Sequence, residues 1–425
     1  MIVVVATLGA LAVLLSLPYW LPGAVTKLRT WLFARINGAD GIPVPGDLVD
    51  LSRFMELYAH PAADGRSRGA ALSDLFWYWL SPGAEVHQEH LEPGPRYNDV
   101  ARCTRRILTM PSRTADELAT ASLRAALPQQ NGLVRLRDLM MPVWAEFYHR
   151  VVFGVPCPPG VRELIVDHSE DVVTSLKCCG LRHMDRRLRL TRHLRETLGQ
   201  VPHPLPETLD EHERAFYLQG TFFNTAVVQS AEATAHVLME IAAHGADGPL
   251  EAVIERTLHD FPLFGVAHRI TSAEICLEGA EPIPAGSVLC FSYPEFHRSG
   301  GHIPFGVAAN RPCPAWHLAP ITIGAVVREV LRDHDLASTA RHTRPLPNRG
   351  PCLMTPRGRR VRHRRLVLAC LRLRDRWEEV WRSPLQLVLG TYMVWHARRL
   401  RLCERHFEQE RNTSHDPARH RDHAG

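Results

Sequence analysis

No Cys-x-x-Cys pair and no His/Cys spacing of the zinc type occurs in the 425 residues, so the ten scattered cysteines describe neither a metal cluster nor a disulfide framework. The adjacent pair Cys178 and Cys179 cannot both face one ligand from a helix and reads as core. A nucleophile elbow is missing too, which leaves an acid–base hydrolase built on the 24 histidines without support. There is no internal repeat. Most informative is the lack of any charged side chain before Lys27. Residues 2–21 form a nearly unbroken apolar run whose length suits a bilayer span. The run lacks the basic start and small-x-small exit of a cleavable signal peptide. Lys27, Arg29 and Arg35 follow it. By the positive-inside rule the chain is expected to be single-pass, with its globular body on the cytoplasmic side.

What is present divides into four parts. Residues 1–26 are the expected membrane anchor, and 27–46 a Gly/Pro-containing hinge. Residues 47–356 form the globular domain and 357–425 a basic extension. From 47 to about 245 apolar residues recur every three to four positions, which predicts helices over 51–60, 70–79, 97–110, 114–127, 134–153, 161–179 and 183–198. The run 211–244 is apolar on nearly every side and should cross the middle of the fold. A short helix over 250–259 follows, then a strand and turn over 275–286 and a returning strand over 287–293. The fold class is mainly α with a small β-sheet.

The net charge of +5 is modest, but much of the positive excess lies after residue 356. Arginines from Arg357 to Arg365 lead into 366–381 and 385–402, where Leu, Trp and Arg mix. Such a segment can lie on an anionic leaflet, and its Trp and Leu content favours membrane over nucleic acid as partner. The polar residues from Asn412 onward read as disordered.

Near residue 300 a glycine-started, helix-ended loop surrounds one cysteine: Gly301-His-Ile-Pro-Phe305-Gly306-Val-Ala-Ala-Asn310-Arg311-Pro-Cys313-Pro-Ala-Trp-His317-Leu-Ala319. Phe305 and Gly306 supply a turn that exposes the sulfur, Arg311 precedes Cys313 by two, and a helix opens at His317. A buried free cysteine is the alternative reading of a lone Cys.

With its order of long helix, short helix, proline, hairpin, cysteine loop and helix, the chain resembles the cytochrome P450 family from about 47 to 355. The carrying residues are the Cys313 loop, Pro284-Ala285-Gly286, and His297-Arg298. The resemblance implies heme b, with Cys313 as the iron ligand, Phe305 and Gly306 beside it, and Arg311 on a propionate. Arg269 is either a second propionate ligand or a surface arginine. It further implies a monooxygenase acting on an apolar small molecule, with oxygen activated under helix 211–244. Electrons would come from a ferredoxin or reductase, or the oxidant from peroxide. Membrane attachment is expected through the N-terminal helix and also through the basic tail; no nucleic acid is expected.

The chain departs from the family pattern in several places. Cys313 lies one residue farther from Phe305, and Ala308 and Ala315 stand where glycines are usual. The Glu-x-x-Arg helix motif is absent, with Arg256 and His259 at its two positions, and the stretch that carries its partner is nearly gone. The acid–alcohol pair of the long helix has two candidate registers. One places Val228 and Gln229 there with Ser230 next, and the other Glu232 and Thr234. These departures leave a second reading open, a degenerate, non-catalytic or peroxide-dependent relative that serves as a heme-binding or partner subunit.

Overall fold

The computed structural model describes residues 2–37, 41–66, 78–80, 82, 86–127, 131–359 and 361–414. The apolar run continues without interruption into one helix, α1 (Ile2–Asn37), long and apolar enough to cross a membrane. The stretch read as a hinge, 27–46, is therefore not a linker in the described residues. Its first part extends α1 and its last part forms strand β1 (Ile42–Val44), while residues 38–40 lie outside the described set. A short helix α2 (Phe54–Tyr58) follows. Most of the helix expected over 70–79 lies outside the described residues.

Next come α3 (Pro95–Leu108), α4 (Ser112–Ala126), strand β2 (Gly132–Arg135), α5 (Leu136–Phe153), α6 (Pro159–Leu176) and α7 (Met184–Thr197). The expected central helix forms in three pieces: α8 (Glu211–Gly220), a π-helical segment over Thr221–Ala226, and α9 (Val227–His244). Asp210 and Glu213 start α8 with a reciprocal capping box, and Gly245 at φ 86° ends α9. Every residue of α9 from Ala231 to Met239 is buried, as a helix apolar all round must be. Helix α5 packs along it, with Trp144 Nε1 donating to Thr234 Oγ1 at 3.1 Å.

Helix α10 (Leu250–Asp260) leads to strand β3 (Val266–Ile270), strand β4 (Val288–Ser292) and α11 (Tyr293–Arg298). The expected hairpin of 275–286 with 287–293 is corrected here. Ile275 and Ile283 make only an isolated bridge, and β4 pairs instead with β3 (antiparallel) and β1 (parallel). Pro282 and Pro284 withhold the amide donors a ladder would need. Helix α12 (Leu318–Asp333) follows the cysteine loop, and strands β5 (His334–Ala337) and β6 (Pro351–Pro356) join β2 in a second sheet ordered β2-β6-β5. The two segments expected in the tail are one helix, α13 (Arg364–Leu400), with Pro384 inside it. Asn412 belongs to α14 (Leu402–Ser414), and 415–425 lie outside the described residues.

Three hydrophobic cores result among the described residues. The largest joins α3 to α10 and α12; a second, around Phe54, Leu57, Leu289 and Phe291, backs the first sheet; a third, around Trp79, Val172, Met393 and Val394, joins α6 to α13. The cysteine loop runs along the seam of the first two. Ile303 and Val307 pack on the core behind the sheet, whereas Phe305, Ala315 and Ala319 pack on the largest.

Candidate active site around Cys313

The loop is closed by its own backbone. Gly306 sits at φ 70°, where a side chain is strained, and the turn lets Cys313 N–H donate to Phe305 O at 3.0 Å. A bridge between Val307 and Asn310 takes up the extra residue, and Asn310 Nδ2 ties it to Tyr58 O at 3.0 Å and Ala63 O at 2.8 Å. Neither Ala308 nor Ala315 has positive φ, so a methyl group there carries no backbone cost. Burial pushes the Cys313 thiol up to about 11, opposed by an amide of Ala315 that donates towards the sulfur. That is the tuning contact a thiolate ligand needs.

Arg311 and Arg269 are both buried, which removes the surface reading of Arg269. Arg311 adopts φ 47°, a strained position for a side-chain-bearing residue, and spends its guanidinium on main-chain oxygens. Its Nε donates to Asp64 O (2.7 Å), Nη1 to Gln88 O (2.9 Å) and Nη2 to Leu91 O (2.8 Å), with the Tyr97 ring beneath. Arg311 thus clamps segment 88–91 to the loop, and Gln88 Nε2 returns a bond to Pro312 O at 3.3 Å. Arg269 Nη2 meets the carboxylate of Glu89 at 3.3 Å. Burial works against ionising Glu89, yet Arg269 and Arg311 outweigh it and hold the carboxyl below its usual value. His87 and His90 are pushed down by burial and stay neutral near pH 7. Two cations thus face one anion, leaving one positive charge beside the loop.

On the long helix the candidates separate. Ser230 Oγ is hydrogen-bonded to the Tyr148 hydroxyl at 2.9 Å, and burial raises the pKa of Tyr148, which lies within electrostatic reach of Cys313. Gln229 is half-buried beside Ser230. Glu232 meets Lys177 Nζ at 2.5 Å and Arg137 Nη1 at 3.0 Å, and Thr234 donates to Ser230 O and accepts from Trp144. Glu232 and Thr234 are therefore committed to packing partners of α5 and α6.

Where the Glu-x-x-Arg pair would stand, Arg256 is exposed and His259 stacks on His297 with centroids 5.3 Å apart. His297 Nδ1 bonds His259 O at 2.9 Å, and Ile303 N–H donates to His297 Nε2 at 3.2 Å. A neutral histidine link thus joins α10, α11 and the cysteine loop in place of an ion pair. Sequence reasoning did not find Glu89 or Tyr148. The run His87-Gln-Glu-His90 was the available signal for the first; nothing in the spacing of Tyr148 marks it.

The donor set fits a heme. A half-buried cysteine sulfur receives an amide, the loop approaching it carries a glycine turn and alanines, and buried Arg269 lies beside it with surplus positive charge for a propionate. No protein-family model matches the sequence, and no curated protein does. Solved structures do match. Cytochrome P450 CYP175A1 from Thermus thermophilus is 17% identical, with TM-score 0.54 over 69% of this chain and 85% of that one. A second, six-coordinated cytochrome P450 from Thermus thermophilus is 16% identical, with TM-score 0.55 over 71% of this chain and 90% of that one. Ligand-free cytochrome P450 OleT is 13% identical, with TM-score 0.52 over 66% of this chain and 84% of that one. With two small sheets, a long central helix and a cysteine loop between two cores, the chain has the cytochrome P450 fold.

Proposed function

We propose that this chain is a heme-thiolate oxidase, a monooxygenase or peroxygenase, that oxidises an apolar small molecule at a membrane. The observation that carries the reading is Cys313, a half-buried cysteine with an amide donor at its sulfur, on a loop closed by Phe305 and Gly306 at the seam of a P450 fold. Cys313 would hold the iron of heme b, and Arg269 would hold a propionate. Arg311 positions the loop rather than a propionate, since main-chain oxygens occupy its donors. A heme held through a thiolate supplies the oxidising chemistry, because sulfur donates electron density to iron and favours O–O cleavage. Ser230, oriented by Tyr148, is the hydroxyl available to hold a proton, with Gln229 next to it. Glu232 and Thr234 keep α9 in place.

An apolar substrate is supported by α1, which would place the body at a bilayer, and by the similar structures of OleT with arachidonic acid and P450SP alpha with (R)-ibuprofen. Orientation with the body in the cytoplasm rests on Lys27, Arg29 and Arg35. Peroxide is favoured over a ferredoxin or reductase as the source of oxidising equivalents, since the acid of the acid–alcohol pair is committed to Lys177 and Arg137. The same commitment, with the missing Glu-x-x-Arg pair, supports the second reading of a heme-binding partner subunit without turnover. Product formation from a long-chain apolar substrate, with peroxide in one arm and a ferredoxin–reductase pair in the other, separates them. Turnover in the peroxide arm is expected, and loaded protein inactive in both arms supports the partner-subunit reading.

A further inference from the structure

The charged groups packed around α9 are paired, with one exception. Glu232 takes Lys177 and Arg137, Asp138 and Glu170 take Arg349, and Glu240 faces His244 and His342. Arg344 has neither an ion pair nor a hydrogen bond among the described residues. It is nonetheless no free surface side chain. Its guanidinium lies against Gly265, where a Cβ would overlap Nη2 and stand 2.9 Å from Cζ and Nη1. Burial pushes the pKa of Arg344 down, opposed by the carboxylate of Glu232 within electrostatic reach. His236, 1% exposed and kept neutral by burial, has Arg344 among its charged neighbours too. Arg344 therefore sits between the start of β3 and α9.

Its surroundings are aromatic and apolar. Phe261 stacks on His342 with centroids 3.7 Å apart and on His236 at 5.5 Å, and His236 Nδ1 is hydrogen-bonded to His342 Nε2 at 2.8 Å. Leu263 and Phe264 lead into Gly265, and Phe264 is 44% exposed. Glu232 is not the counter-charge, because one of its oxygens already takes Lys177 at 2.5 Å and Arg137 at 3.0 Å. An unpaired cation in such a setting is costly, and an anion brought to it gains charge-assisted hydrogen bonds. The location bears on the site around Cys313. Gly265 immediately precedes β3, which carries Arg269 four residues on, about 13 Å along an extended strand. A ligand held at Arg344 thus lies one short strand from the arginine assigned to a propionate.

We propose that Arg344, seated on Gly265, receives a carboxylate of the substrate, so that the molecule taken up is an amphiphilic acid with an apolar chain. The planar guanidinium fork matches a carboxylate bidentately, and Phe261, Leu263 and Phe264 supply apolar surface beside it. Oxidation of that acid rests on the heme-thiolate reading, whereas its binding does not.

The test is titration calorimetry of the detergent-solubilised full chain with octanoate and with 1-octanol, which share a chain length and differ in the head group. The unaltered chain is expected to bind octanoate at least about tenfold tighter than 1-octanol. Arg344→Gln is expected to lower octanoate affinity to the octanol level and leave octanol affinity unchanged. Its thermal transition should not move, because the side chain makes no bond to the fold. Gly265→Ala, which keeps the charge but displaces the guanidinium, is expected to reduce the preference as well. The proposal is overturned if the unaltered chain binds the two compounds alike, or if either variant keeps the full preference. Calorimetry reads binding with or without heme. A chain that prefers octanoate but shows no thiolate Soret band would overturn the heme reading and leave this one standing; a chain with the band and no preference would do the reverse.

Discussion

Arg311 combines a left-handed backbone with a buried guanidinium, a conformation costing about 1 kcal/mol that its three short bonds to Asp64, Gln88 and Leu91 oxygens must offset. Lysine cannot reproduce that fork. Arg311→Lys is expected to loosen segment 88–91 and lower stability by about 2 kcal/mol in urea unfolding; an unchanged midpoint would contradict the clamp. Glu89 acts in the opposite sense on Arg269, whose charge it neutralises. Glu89 retains 30% of its side-chain exposure, so the pair contributes at most about 1 kcal/mol, and Glu89→Gln should tighten heme binding by roughly fivefold or less. Weaker binding in a heme titration would instead mean that Glu89 orients Arg269. The Cys313 thiol has an ordinary value of 9.0 and is raised by burial to about 11. Its neutral form therefore contributes stability that is complete below pH 9 and is lost as pH rises towards 11. Binding iron requires the thiolate, so heme affinity of the apoprotein should rise about tenfold per pH unit from about 7 to 9, with one proton released. A pH-independent affinity would point to a different ligand.

At the scale of elements, α9 is held by polar contacts that its sequence concealed. Removing the charge of Glu232 strands Lys177 and Arg137 in the interior, so Glu232→Gln should cost about 3–5 kcal/mol of stability. Calorimetry reads the loss directly, whereas a residue used only for proton delivery would change turnover and leave the transition where it was. The helices were legible because their apolar spacing is strong: α3, α4, α6, α7 and α10 fall within two residues of their expected starts, and the Cys313 loop lies where its turn and helix signals placed it. Of the strands, β4 was legible, lying within the expected 287–293, although its partners were not; the others were hidden. Strand β3 carries His268 and Arg269 at its centre, and β2 continues straight into α5, so neither shows a period of two. Partner choice was equally hidden. Glu232 and Thr234 have the right chemical types for oxygen chemistry, but which face of α9 they occupy depends on α5 and α6, which contribute Trp144 and Arg137 in one case and lie beside Lys177 in the other. Tyr148, a long-range partner of Ser230, could not be inferred from local spacing.

The whole molecule places a cysteine loop at the seam of two cores and a pair of parallel helices, α1 and α13, along one side. The ion pair of the family's pattern is replaced by the His259–His297 stack, in which burial pushes the His297 imidazole towards neutrality. His297 joins α10 to the loop through its hydrogen bonds to His259 O and Ile303 N–H. His297 Nε2 must stay unprotonated to accept from Ile303 N–H, so acid should weaken the loop as pH falls through the lowered value. The account rests in the end on what Cys313 binds. The most direct measurement is the absorption spectrum of the detergent-solubilised, heme-reconstituted chain after reduction under carbon monoxide. The account predicts the red-shifted Soret band of thiolate ligation, absent in Cys313→Ala; failure to bind heme, or a band that Cys313→Ala leaves in place, would contradict it.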